Sequence, residues 1–126
     1  MMFYVAATDQ EAQDRARAAY QVYSGNYAKP VPDGATPQPR PAGPRNIYSP
    51  GVADFNTARE WERVIVGSAQ TVREHVQRYV EDSGCNYMVT SFQWGDLTHE
   101  EASRSMEAFA TEVMPQFSDP SINTHP

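Results

Sequence analysis

Between Lys29 and Pro50 the chain carries Pro30, Pro32, Pro37, Pro39, Pro41, Pro44 and Pro50, with Gly34 and Gly43 among them. Each proline fixes its φ and removes a backbone donor, so neither a helix nor a strand runs through this stretch. The insertion spans residues 28–52 and leaves an arm of chain on each side of it. A loop of this length inside a compact domain is either functional or without fixed structure, and a solvated linker whose arginines keep it soluble is the plain alternative. Residues 118–126 read as a disordered tail, which leaves 1–117 as one domain.

The arms repeat one rhythm. Met2 to Ala6 is a short apolar run that predicts a strand, and Thr8 with Glu11 forms a capping box opening a helix. Ala12, Ala16, Ala19, Tyr20 and Tyr23 fall on one helical face, and Gly25 and Asn26 supply a stop. After the insertion, Val52 to Arg63 predicts a short helix presenting Phe55 and Trp61, and Val64 to Val66 a second strand. Ser68 then caps a helix over Ala69 to Ser83, with Val72, Val76, Tyr79 and Val80 on one face and Gly84 ending it. The richest segment is Cys85 to Pro115. Tyr87 to Phe92 predicts a strand buried on both faces, Gly95 and Asp96 a turn, and Thr98 with Glu101 a second capping box. Ala102, Met106, Phe109, Ala110 and Val113 recur at helical spacing up to Pro115. Strand, helix, loop, strand, helix, strand, helix is the order of an α/β protein with parallel strands.

With 16 acidic residues against 10 basic ones the formal charge is −6, which repels nucleic-acid backbones and anionic membrane surfaces. No apolar run approaches the roughly 20 residues of a membrane span, and the start lacks the basic and apolar regions of a signal peptide. The expectation is a cytoplasmic protein, which the single cysteine, Cys85, fits.

The segment SFQWGDLTHEEASRSMEAFATEVMP, preceded by VIVGSAQTVREHVQRYVEDSGCNY, resembles the C-terminal end of luciferase-like flavin monooxygenases, the family of bacterial luciferase and alkanesulfonate monooxygenase. The matching pieces are Val66-Gly67-Ser68, the strand ending at Phe92, and Phe109 through Val113, Met114 and Pro115. The family's usual Pro-Glu after the serine is Ala69-Gln70 here. The opening FYVAATDQEAQDRARAAY is similar to the family's sixth strand and following helix. The resemblance implies a partial (β/α)8 barrel, about its last three βα units, because a whole barrel needs roughly 250 residues and this chain has 126. It further implies an oxygenase that uses reduced FMN, or coenzyme F420, and O2 on a small organic substrate, with no metal. A chain holding part of the barrel is expected to be inactive alone, and to self-associate or to join a missing N-terminal half. The alternative is a non-catalytic part-barrel that binds a partner subunit, or a gene remnant.

The candidate pocket residues follow from the same likeness. Phe92, Gln93 and Trp94 stand where the last strand would deliver side chains to a flavin or substrate, although Phe92 and Trp94 also suit a core. Gly67 and Ser68 at a helix N-terminus suit an anion, although a serine cap alone accounts for Ser68. Arg40 and Arg45 are the cations a lid-like loop would carry over the site. No catalytic residue is singled out, and His75, His99 and His125 lack the spacing of a metal site. Glu100 and Glu101 read as first-turn and capping residues before they read as an acid/base pair.

Overall fold

The computed structural model describes residues 1–27, Gly34 and 54–117. The expected insertion over 28–52, with Arg40 and Arg45, and the tail 118–126 lie outside the described residues, Gly34 apart.

Two apolar runs pair as parallel strands. Strand β1 (Met2–Val5) lies beside β2 (Val64–Gly67) in the register Met2 to Val64, Phe3 to Ile65, Tyr4 to Val66 and Val5 to Gly67. Alternate side chains leave opposite faces of the strands, and both faces are covered. Tyr4, Val64 and Val66 pack with Ala12, Ala16, Ala19 and Tyr20 of α1 (Asp9–Tyr27) and with Phe55 and Ala58 of α2 (Phe55–Glu60). Phe3, Val5 and Ile65 pack on the other side with Val72 and Val76 of α3 (Ala69–Ser83) and with Val113. The alanine stripe of α1 explains its close approach to the sheet, since small side chains let the helix backbone sit near the strands.

The helix boundaries follow local chemistry. Ser68 caps α3 by accepting from the Thr71 N–H, and Gly84 ends it in the left-handed region at φ 67° with its N–H on the Val80 carbonyl. Helix α4 (His99–Ala108) opens with the full Thr98–Glu101 capping box. At α1 the Thr8 hydroxyl accepts from the Glu11 N–H, and the helix continues through Gly25 and Asn26 rather than stopping there. The expected last helix also changes character: α4 passes into a π-helical turn at Phe109–Val113 and a 3₁₀ turn at Met114–Gln116, so Pro115 sits in that final turn. Among the described residues no helix is long and apolar enough to cross a membrane.

The expected partial barrel does not form. The described residues are mostly helical and hold two parallel strands, not three βα units. Tyr87 to Phe92 pairs with the sheet backbone through one bridge: the Phe3 N–H donates to the Ser91 carbonyl at 2.9 Å and the Ser91 N–H to the Met1 carbonyl at 2.8 Å. This contact falls on the side of β1 away from β2, which makes the first strand the central one. In a barrel of successive βα units the second strand would lie in the middle, and the helices would all lie outside the sheet rather than on both of its faces.

The reason the ladder stops at Ser91 is visible on β1. The next acceptor along that edge, the Phe3 carbonyl, takes the Trp94 indole N–H at 3.2 Å, and the next donor, the Val5 N–H, gives to the buried Ser105 hydroxyl at 2.9 Å. Side chains occupy the places a third strand's backbone would fill. Gly95 then turns at φ 60° directly under α1, where a Cβ would overlap the Ala19 carbonyl. Tyr87 and Val89, which in this parallel register come before the start of β1, stand 83% and 71% exposed instead of buried on both faces.

Candidate functional site

A sheet that runs outward from a central strand in both directions, with helices on both faces, opens a crevice at the C-terminal end of that strand. Here the crevice encloses about 490 Å3 between α1 and α4. Tyr4, Val5 and Ala6 form its floor, Glu11 and Arg15 one wall, and Glu101, Arg104 and Glu112 the other.

Arg15 is fixed by four hydrogen bonds. Its Nε and Nη2 donate to the two Glu101 carboxylate oxygens at 2.8 and 3.0 Å, and its Nη1 and Nη2 to the Asp96 carboxylate and carbonyl at 2.9 Å each. Planar guanidinium against planar carboxylate makes this a directional clamp joining α1 to the start of α4. Glu101 also accepts from the Thr98 N–H at 2.8 Å. Its carboxyl is held down at about 2, first by the Arg15 hydrogen bonds and then by the Thr98 N–H. Arg15 is in turn pushed up, first by its bonds to Glu101.

Tyr4 behaves differently. The residue is 7% exposed, its ring lies in the α1-side core, and its hydroxyl has no hydrogen-bond partner among the described residues. Burial, and next the Glu101 charge, push its hydroxyl above the ordinary tyrosine range, so it stays a neutral donor. Arg104 makes no ion pair or hydrogen bond among the described residues, and the carboxylates of Glu11 and Glu112 are likewise unengaged. The crevice therefore holds one saturated cation, one open cation, two open carboxylates and the open hydroxyl of a mostly buried tyrosine.

None of the expected pocket residues Phe92, Gln93, Trp94, Gly67 and Ser68 lines this crevice, whereas Glu11 and Glu101, read from the sequence as capping residues, do. Phe92 stacks with Phe3 and Phe109 at ring-centroid distances of 5.9 and 5.3 Å, Gln93 is exposed, and Trp94, 6% exposed, is spent on the Phe3 carbonyl. Gly67 and Ser68 do bind an anion, and it is the protein's own. Asp9 accepts from the Ser68 N–H at 2.7 Å and the Thr71 hydroxyl at 2.9 Å, which lower its carboxyl in that order. A Cβ on Gly67 would come within 2.8 Å of the same carboxylate oxygen. Cys85 is partly exposed, and among the described residues no group of His, Cys, Asp and Glu is placed to hold a metal.

The resemblance implies a flavin, and the donor set bears on whether its phosphate could be held. A flavin phosphate wants a free helix N-terminus or converging cations. Asp9 fills the start of α3, Glu101 that of α4 and Asp54 that of α2, while α1 begins with Asp9 and Glu11. In the crevice Arg104 faces Glu11, Glu101 and Glu112. The described residues do not fit a flavin phosphate. No protein-family model, curated protein or solved structure matches the chain.

Tyr4, Arg15 and Arg104 carried no sequence signal of their own. The partners of Arg15 lie 81 to 86 positions along the chain, and only the fold places α1 against α4.

Proposed function

We propose that the protein is a binding module that holds a small polar molecule in the crevice between α1 and α4. The observation that carries this reading is the Tyr4 hydroxyl, which lies on a residue more than nine-tenths buried, lacks a partner among the described residues, and lines the crevice. The hydroxyl is the end of an otherwise buried side chain that reaches the crevice, and it is free to donate to a ligand oxygen placed there. Ser, Cys and His are absent from the residues lining the crevice, so it holds no nucleophile with a neighbouring imidazole, which supports binding over covalent catalysis. Amide-resolved NMR titration with a library of small polar molecules tests it. Shifts clustered at Tyr4 to Ala7, Glu11 and Arg104 support the reading; a library without a single hit there ends it.

A second reading, association with a partner subunit, is favoured by the exposed Tyr87 and Val89 side chains and the free outer edge of that segment. The luciferase-like activity, with reduced FMN or F420, O2 and an organic substrate, belongs to this second reading, because a partner would have to bring the phosphate donors. Sedimentation velocity checks association, and flavin absorbance retained through gel filtration checks the cofactor. A monomer that retains no flavin removes both.

A further inference from the structure

We infer that the crevice selects a small zwitterion of the amino-acid class, with its carboxylate on Arg104 and the Tyr4 hydroxyl and its ammonium on Glu11 or Glu112. The inference rests on the crevice being a binding site and goes further by naming the chemistry of what it takes.

The charges facing the cavity settle the class. From α1 come Glu11 and the Arg15 guanidinium; from the α4 side come Glu101, Arg104 and Glu112. Arg15 and Glu101 neutralise each other, and Asp96 takes the remaining Arg15 donors. What stays open is Arg104 against two carboxylates, a net negative balance. A simple anion such as acetate gains Arg104 but faces the carboxylates, and a simple amine gains the carboxylates but faces Arg104. A molecule carrying both charges meets a partner at each end. The volume of about 490 Å3 lies within the usual range for small-molecule pockets, and Tyr4 supplies the neutral donor that fixes orientation.

Tyrosine is neutral at pH 7, and burial and then the Glu101 charge push the Tyr4 hydroxyl further up, so it donates. The clamp at Arg15 holds the two walls at a fixed separation and is itself unavailable to ligand. Arg104 is therefore the specificity-determining cation and Tyr4 the positioning donor.

The experiment is an NMR titration of the full chain with the free L-amino acids, run beside acetate, phosphate and methylammonium. At least one amino acid should bind about tenfold or more tightly than acetate and methylammonium, with shifts at Tyr4 and Arg104. Tyr4→Phe, which removes one oxygen, and Arg104→Met, at an exposed position, should each weaken that binding about tenfold while the rest of the spectrum stays folded. Acetate, phosphate or methylammonium binding as tightly as every amino acid would overturn the zwitterion class while leaving a binding site. Silence at the crevice amides toward every probe would overturn the site itself, and unchanged affinity in Tyr4→Phe would overturn the role given to its hydroxyl.

Discussion

Two passes of chain lie beside β1, and different chemistry holds each. On one side β2 pairs along its whole length, residue by residue, and its valines and isoleucine are buried against helices on both faces. On the other side the segment around Ser91 makes one bridge and departs, and the C-terminal third is then secured by side chains: Trp94 on Phe3, Ser105 on Val5, and Arg15 on Glu101 and Asp96. VIVG and YMVTSF are both β-rich, so propensity does not separate them. What separates them is whether the edge of β1 remains open to a backbone once an indole and a hydroxyl have reached it.

The largest expected effect tests the shared centre. Phe3 is fully buried and its ring meets Phe92 and Phe109, so Phe3→Ala should cost about 3–5 kcal/mol by chemical denaturation. A loss below about 1 kcal/mol would mean that β1 does not bind the two halves together.

Next comes the clamp. Arg15→Met removes charge-assisted hydrogen bonds and should cost about 1.5–3 kcal/mol at neutral pH. Because the folded-state carboxyl of Glu101 is depressed to about 2 from an ordinary 4.5, its contribution is fully present above pH 4.5 and is lost as pH falls toward 2. The gap between wild type and Arg15→Met should narrow over that window, and a gap independent of pH would assign the stability of α4 to apolar packing alone.

Ser105→Ala leaves the buried Val5 N–H without an acceptor and should cost about 1–3 kcal/mol, whereas Ser91→Ala, whose bonds are backbone bonds, should be nearly silent. Equal effects at the two serines would erase the distinction between side-chain and backbone closure. Smallest of all, Tyr87→Ala should change monomer stability by less than about 0.5 kcal/mol, since the side chain is exposed. A larger loss that grows with protein concentration would point to the association reading.

The local parts of this fold were legible because their causes are local. Thr98 and Glu101 stand three residues apart, Ser68 opens α3, Gly84 closes it, and the alanines of α1 keep helical spacing. The strand order was not legible, since period and propensity do not say which neighbour a strand will choose. Trp94 and Ser105 looked like an ordinary pocket candidate and an ordinary helix residue, and their roles exist only relative to β1, some 90 to 100 positions earlier. The candidate site was missed for the same reason: Tyr4 read as one more strand residue and Arg104 drew no reading at all until α1 and α4 faced each other. The likeness to luciferase-like enzymes drew attention to Phe92, Trp94 and Gly67, which the fold spends on packing and on Asp9.

The Ser105 hydroxyl gives β1 an unusual clock. An amide in a strand ordinarily exchanges with deuterium when strands part, yet the Val5 amide is guarded by a helix and becomes exposed when α4 lifts away. The Phe3 amide, held by the Ser91 carbonyl, is released by a separate opening. Two amides only two residues apart therefore time two different breathing motions of the molecule. Anything that seats itself between α1 and α4 should slow the Val5 clock while leaving that of Phe3 running as before.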